Sequence, residues 1–332
     1  MNDESIIGKI NNFKNLKVGV IGDIILDEYI WGECTRISQE APVPVVKVDK
    51  RTVTMGGAAN VISNLTSLGA SAFAYGIVGN DDNAGKLKNL LNNLKCNIQG
   101  IIVDPSRPTT VKTRVIASRQ QVVRIDDEIV EKLKNDDKEE LKERVIKDIK
   151  NQEIDALIFE DYAKGCLDHE IVSEITQYAK EYEIPTALDP HPGHPLNVHN
   201  ITLITPNRAE AFALAGKYLK KGCHSIEEDK PLMDVKNILF KKWSPEILLI
   251  TLGEHGMGCF LRNGHKFHIP TVAQDVFDVS GAGDTVIATF LLAYLAKSSP
   301  QEAARIANTA AGIVVGHVGT QPVSAEDLKK HL

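Results

Sequence analysis

An α/β fold with a mostly parallel central sheet is what this sequence predicts, on three observations. Short apolar, β-branched runs alternate with helical apolar spacing, most regularly from Ala156 onward. Polar residues recur just after those runs, at the edge where open α/β sheets bind ligands. With 332 residues, 43% of them hydrophobic, the chain can fill one large core or two smaller ones.

Taken in order, Leu16–Asp23 reads as a buried strand ending in a tight turn, in a GxxGD pattern rather than GxGxxG. Asp23 and Asp27 then fall at its carboxyl end. Glu40–Val48 is a β-branched run broken by prolines, which suits an edge strand. Met55-Gly-Gly-Ala-Ala-Asn60 leads into helical spacing at Val61, Ile62, Leu65 and Leu68. Gly56 and Gly57 let backbone approach a ligand, and the Asn60 amide both donates and accepts.

Ser71–Val78 is a strand, Asn83–Leu94 a helix and Ile98–Val103 a strand. Thr109–Ile116 and Val122–Ile125 form a hairpin carrying Lys112, Arg114, Arg119 and Arg124. Cations on a hairpin are usually solvated; four of them in an acidic protein suit an anionic substrate. Residues 131–150 read as a surface helix with one buried stripe. Strands follow at Ala156–Phe159, Pro185–Leu188, Ile201–Thr205, Glu246–Thr251, Gly258–Leu261 and Phe267–Ile269. Helices are expected at His169–Glu181, Asn207–Ala215, Asp284–Ala296 and Pro300–Val315, with Lys217–Asp229 a loose loop. Asp161 and Lys164, Asp189, Asn207 and Glu210, and Thr251 and Gly253 line up behind successive strands.

The chemistry concentrates in Asp278-Val-Ser-Gly-Ala-Gly-Asp284. Gly281, Ala282 and Gly283 form a small-residue turn opening an apolar helix, so the first-turn N–H groups and the helix dipole suit an anion. Asp284 lies in the same turn. An anion hole beside a carboxylate suits phosphoryl transfer, with the acid taking a proton from the attacking hydroxyl. The plainer alternative is a glycine turn whose acid only complements the dipole.

The net charge of −6 argues against a dedicated nucleic-acid binder. No apolar run reaches membrane-spanning length, and the polar start, Met1–Ser5, shows no signal peptide. Five widely spaced cysteines without C-x-x-C suggest reduced thiols and a cytoplasmic protein. His191, His194 and His199 are too irregularly spaced, with prolines between, to read as a zinc site.

Met55–Asn60 and Asp278–Asp284, with the βα pattern between them, resemble the ribokinase-like, PfkB-type sugar kinases along nearly the whole chain. The resemblance implies a ribokinase-like α/β fold: a mostly parallel sheet, helices on both faces and a small β lid. It implies one kinase domain over 1–332, with lid segments near 33–54 and 107–126. Asp284 would be the base, and Gly281, Ala282 and Gly283 the anion hole. Asn207 and Glu210 match an N-x-x-E element that helps hold the magnesium–phosphate assembly, partly through water. Thr251, Gly253 and Asn308 fall on the nucleotide side, with Asn207 and the glycine turn. Asp23, Gly56, Gly57 and Asn60 fall on the sugar side. Asp278, Ser280 and Gly319 resemble a monovalent-cation loop suited to K⁺. Thr289 departs from the usual glycine or alanine, beyond the catalytic turn.

Arg36–Val45, the cationic hairpin and Asp161–Gly165 are similar to the kinase domain of the ADP-heptose synthesis enzymes. Those phosphorylate D-glycero-D-manno-heptose 7-phosphate on its anomeric oxygen. This implies a phosphorylated substrate held by Lys112, Arg114, Arg119 and Arg124, with Asp161 and Lys164 beside them. No nucleotidyltransferase domain is expected. His191 stands where Asp-Pro-Lys is more usual. ATP and Mg²⁺ are the expected cofactors. A homodimer through the lid is expected from Val43, Val45, Val46 and Val48 on the proline-flanked strand. A kinase of ribose, fructose or a nucleoside, or a sensing protein on the same fold, are the alternatives.

Overall fold

A computed structural model describes residues 3–118, 120–223, 225–272, 278–316 and 321–332. The chain opens with helix α1 (Asp3–Asn11) and strand β1 (Lys17–Gly22). Then come β2 (Ile24–Ile37), β3 (Pro44–Gly57), α2 (Ala58–Ser67), β4 (Ser71–Val78), α3 (Asp82–Asn93) and β5 (Asn97–Val103). A hairpin, β6 (Val111–Ala117) and β7 (Gln120–Asp127), precedes α4 (Asn135–Lys150). The alternation continues through β8 (Ala156–Glu160), α5 (His169–Glu181), β9 (Thr186–Asp189), β10 (Leu203–Ile204), α6 (Arg208–Leu214) and α7 (Lys230–Trp243). It closes with β11 (Ile247–Thr251), β12 (Met257–Leu261), β13 (Lys266–Ile269), α8 (Ala282–Leu295), α9 (Pro300–Val315) and α10 (Ala325–Lys330).

Among the described residues, nine strands form the main sheet in the order β13-β12-β11-β10-β9-β8-β1-β4-β5. Neighbours pair in parallel except β11 with β12 and β12 with β13, which are antiparallel, so β12 runs against the rest near one edge. The central strands are apolar on both faces, as parallel strands covered by helices must be. Val18, Val20, Ala156 and Ile158 join one core with α2, α3, α8 and α9. Ile21, Leu157 and Phe159 join a second with α4, α5, α6 and α7. Both cores are continuous, which matches the expected α/β sandwich.

Strand order reverses between β1 and β8, because the chain runs outward from β1 to β4 on one side and later returns to β8 on the other. That crevice at the carboxyl ends is where such sheets take ligands. Asp23, Glu160 and Asp189 all stand there.

A second sheet of four strands, β3-β2-β6-β7, takes in the segments expected as a lid. It begins earlier than the sequence suggests: β2 starts at Ile24, with one residue between it and the end of β1. A single chain segment thus passes from the central sheet into the lid, with Asp23 at the joint. Gly32 and the acids 27 and 28 interrupt the alternation that would mark β2 in the sequence. β3 is an edge strand, as its prolines predict.

Two further differences concern helices. α7 follows the 217–229 loop with Asp229 as N-cap and Pro231 in the first turn, burying Leu232, Val235, Leu239 and Trp243. α1 and α10 pack beside each other at the chain ends.

Candidate active site

Two helices aim their N-termini at one cavity. α2 starts after Gly57, whose φ of +55° only glycine adopts readily, and whose added Cβ would lie 2.4 Å from the Asp23 carbonyl. α8 starts after Gly281, in the left-handed region at φ +77°, with no side chain capping its first turn. The orphan N–H groups there stay open to an anion.

Polar side chains lock the two helices together. The Asn60 amide donates to Asp284 Oδ2 at 2.5 Å, and the Thr285 hydroxyl donates to Asn64 Oδ1 at 2.8 Å. Asn64 in turn donates to the Asn60 carbonyl. The Tyr162 hydroxyl donates to Asp284 Oδ1 at 3.3 Å. Asp284 is 5% exposed, so both its oxygens are directed by protein groups rather than by bulk water. Burial pushes its carboxyl up to about 6, opposed by the bonds from Asn60 and Tyr162. A base with that value is largely ionised at neutral pH yet still able to take a proton.

The cavity, of about 110 Å³, is lined by lid and core together. Ile25, Asp27, Lys112 and Arg114 come from the lid strands, and Gly56 and Gly57 from the end of β3. Asn60, Tyr162, Ser280, Gly281 and Asp284 complete it. Arg114 pairs with Asp27 at 2.5 Å. Lys112 lies with its ammonium 5.3 Å from the Tyr162 ring centre, and among the described residues no carboxylate is within ion-pair distance of it. Burial, then the neighbouring Lys164, push the Lys112 ammonium down.

Several expected site residues stand elsewhere. Asp23 is buried but does not line the cavity. Its carboxylate accepts the backbone N–H groups of Tyr162, Lys164 and Cys166, each at 3.0 Å, and so fixes the 161–166 loop. Asp27 holds the cavity position instead. Asp161 turns to His194 at 2.9 Å and to the Ala163 N–H. Lys164 pairs with Glu128 just outside the cavity. Arg124, opposite Arg114 in the hairpin register, is bound twice by Asp126 on the exposed face. Arg119 and Gly319 lie outside the described residues. The three histidines diverge: His194 meets Asp161, His191 accepts the Gly193 N–H, and His199 borders an open groove along α5.

On the nucleotide side, Asn207 caps α6 and Glu210 answers in a capping box. Asn207 Oδ1 accepts the Glu210 N–H, and Glu210 Oε2 accepts the Asn207 N–H. The N-x-x-E element therefore has a structural role of its own, which leaves the Asn207 amide and the second Glu210 oxygen for a ligand. Burial raises the Glu210 carboxyl. Asn207 forms a β-bridge with Thr251, and Gly253 opens a short 3-10 turn at φ +59°. Asn308 is buried and donates to the Pro270 carbonyl. Asp278 accepts the Ser280 N–H at 2.9 Å, shaping the approach to the glycine turn.

Two residues at this edge escape a reading of the sequence for sites: Tyr162 sits inside the 161–165 motif without a role, and Glu160 reads as the end of a strand. Asp189, expected behind its strand, joins them. One carboxylate oxygen from each of Glu160, Asp189 and Asp284 lies within 4.8 Å of the others. Burial, then the neighbouring Asp189, raise the Glu160 carboxyl. Burial, then Glu210, raise Asp189.

Comparison with known proteins now bears on this geometry. A model described as the pfkB family carbohydrate kinase matches residues 15–327. The chain belongs to the pfkB family of carbohydrate kinases. The enzyme class expected from its motifs, an ATP-dependent sugar kinase, is thus the class to which it belongs. It is 40% identical over 312 residues to the bifunctional protein HldE of Geobacter sulfurreducens, covering 93% of this chain and 61% of that one. It is 40% identical over 313 residues to the HldE of Helicobacter pylori, covering 94% and 65%. The chain therefore spans less than two thirds of those relatives. The fold matches Arabidopsis thaliana ribokinase complexed with ribose and ATP, with TM-score 0.70, 19% identity and coverage of 95% and 97%. It also matches Escherichia coli phosphofructokinase-2 in complex with potassium, with TM-score 0.75, 18% identity and the same coverage. Among the described residues no helix is long and apolar enough to cross a membrane.

Proposed function

We propose that this chain transfers the γ-phosphoryl group of ATP to the anomeric oxygen of D-glycero-D-manno-heptose 7-phosphate, giving the 1,7-bisphosphate. The observation that carries the proposal is Lys112: a half-buried ammonium without a carboxylate partner among the described residues, lining the same cavity as Asp284. A buried cation of this kind suits a fixed anion, and a substrate phosphate is such an anion. The HldE relatives support the same substrate class.

Each residue then has a physical task. Asp284 accepts the proton of the anomeric hydroxyl as that oxygen bonds to the γ-phosphorus and the bond to the bridging oxygen of ADP breaks. Asn60 and Tyr162 hold the carboxylate in place while it does so. The N–H groups after Gly281 hold the charge on the phosphoryl oxygens. Asp27, Gly56 and Gly57 surround the sugar. Thr251, Gly253 and Asn308 face the nucleotide. The free polar atoms of Asn207 and Glu210 suit a Mg²⁺ held partly through water, since Mg²⁺ favours oxygen ligands and keeps much of its hydration. When bound, Mg²⁺ neutralises phosphate charge. Asp278, Ser280 and Gly319 would seat a K⁺ that tunes the turn; equal rates in potassium and in tetramethylammonium at matched ionic strength would contradict that.

The reading includes a cytoplasmic setting, consistent with five free thiols, and a homodimer through the lid. Ile37, Val43, Val48, Val122, Val123 and Ile125 are each at least 40% exposed there, an apolar face that invites a second copy. Sedimentation at micromolar concentration should show a dimer; a monomer would contradict the pairing. The substrate is tested by steady-state assays of heptose 7-phosphate against the unphosphorylated heptose, with preference for the former expected.

A further inference from the structure

We propose that Asp23 is a positioning residue for the base: it holds both segments whose side chains direct Asp284. The proposal deepens the kinase reading, which makes Asp284 the base, and does not depend on which sugar is the acceptor.

Asp284 is directed from two sides. Asn60, in the first turn of α2, donates to its Oδ2, and Tyr162, in the 161–166 loop, donates to its Oδ1. Asp23 holds the backbone of both segments. Its carbonyl accepts the Ala58 N–H at 3.0 Å, which fixes the start of α2. Its Oδ2 accepts the N–H groups of Tyr162 and Lys164, and its Oδ1 accepts that of Cys166. Its own N–H donates to the Glu160 carbonyl at 3.4 Å, which anchors it to β8.

This is more than turn chemistry. A capping or turn aspartate serves N–H groups two or three residues on. The three that Asp23 serves lie 139, 141 and 143 positions away. The 161–166 loop belongs to no helix or strand, so its N–H groups need acceptors from elsewhere. Its backbone is constrained as well. Ala163 has φ +55°, and Gly165 has φ +97° at a place where an added Cβ would run into the Glu131 carbonyl. Backbone of this kind persists where its surroundings over-determine it. Asp23 is buried, which raises its carboxyl, and the N–H groups of Lys164, Cys166 and Tyr162 oppose that rise.

The placement of this loop bears on both ends of Tyr162. The hydroxyl reaches the base, while the ring faces the Lys112 ammonium. Lys164, two residues on, pairs with Glu128 just past β7. A carboxylate that gathers this loop therefore sets the base and the hairpin cation relative to each other.

The test compares the whole chain as wild type, Asp23→Asn, Tyr162→Phe and the double variant, with Leu239→Ala in α7 as a destabilised control remote from the site. Turnover of heptose 7-phosphate is read by coupled ADP release. Asp23→Asn keeps the shape but turns an NH₂ group toward backbone N–H groups, so the loop loosens. Its kcat should fall about 10- to 100-fold, the range that a displacement of up to about 1 Å gives, with KM for ATP unchanged. Tyr162→Phe removes only the hydroxyl. In the double variant kcat should lie within about twofold of Asp23→Asn alone, because that contact is already lost. Leu239→Ala should lower the melting temperature, keep kcat near wild type and combine additively with Tyr162→Phe. Hydrogen exchange needs no sugar: the amides of 162–166 should exchange faster in Asp23→Asn and not in Tyr162→Phe. If wild type leaves heptose 7-phosphate unphosphorylated, the substrate reading fails, and the exchange comparison still decides whether Asp23 holds the loop. Should Asp23→Asn not fold, Asp23→Ser takes its place. The positioning role is overturned if the Asp23 variant exchanges like wild type across the loop, or if its loss of kcat multiplies with that of Tyr162→Phe.

Discussion

Lys112→Ala should separate recognition of the substrate's own phosphate from the transfer of the new one. The ammonium is half-buried, lies over the Tyr162 ring and has no carboxylate partner among the described residues. Its removal deletes a charge-assisted contact to phosphate without freeing a protein acid. Hydrogen bonds to charged groups contribute about 1.5–3 kcal/mol. At about 1.4 kcal/mol per tenfold, that is a rise in KM for heptose 7-phosphate of about 10- to 150-fold. Unphosphorylated heptose never made the contact, so its kinetics should hardly move. Arg124 supplies the control. It is 50% exposed and already bound by Asp126, so Arg124→Ala should change KM by no more than about threefold. The assay is coupled ADP release across both sugars for wild type and the two variants. If Lys112→Ala raises KM for both sugars alike, or for neither, the lysine is not a phosphate contact.

Other consequences follow from the same geometry. Asp284→Asn should keep ATP binding, measured by calorimetry, while kcat falls on the order of 10²–10⁴, as loss of a general base does. Asp284 must be unprotonated to act, so kcat/KM at low Mg²⁺ should fall as pH drops through about 6. Asn60→Ala removes a bond that favours the ionised carboxylate, so it should move that inflection to higher pH; a shift to lower pH would reverse the assigned role. Gly57→Ala forces a side chain into a left-handed conformation and within 2.4 Å of the Asp23 carbonyl. It should destabilise the fold by about 1–3 kcal/mol in urea titrations, and an unchanged midpoint would contradict the close approach.

Much of the scaffold was legible because its signals are local. The strand 71–78 and the helices 169–181 and 300–315 match their expected bounds, each being a periodic run between clear stops. Gly57 and Gly281 do stand just before apolar helices, each at a positive φ that favours glycine, which is why the sequence marks both helix starts. The lid strand β2 did not, because its residues are half-exposed and break the two-residue alternation. α7 carried its signals, an aspartate cap, an early proline and apolar spacing, but they were hidden behind a polar loop.

Site roles were less legible, because they depend on partners far away in the chain. Asn60 reads as a ligand-facing amide, yet it holds Asp284, 224 positions on. Asp23 and Asp27 look equivalent in sequence; only the passage from β1 into β2 turns one to the 161–166 loop and the other to the cavity. The hairpin cations look alike too, until Asp27 and Asp126 are seen to engage Arg114 and Arg124, which leaves Lys112 among the described ones. Glu160 had a signal, two consecutive acids closing an otherwise apolar strand, and its meaning depended on Asp189 coming alongside.

The most direct test of the central claim is the product itself. Purified chain, ATP and Mg²⁺ are incubated with D-glycero-D-manno-heptose 7-phosphate, and the product is followed by ³¹P and ¹³C NMR. The account predicts a second phosphorus resonance coupled to the anomeric carbon, formed with ADP and absent with Asp284→Asn. Phosphorylation at any other carbon, or equal turnover of the unphosphorylated heptose, would contradict it.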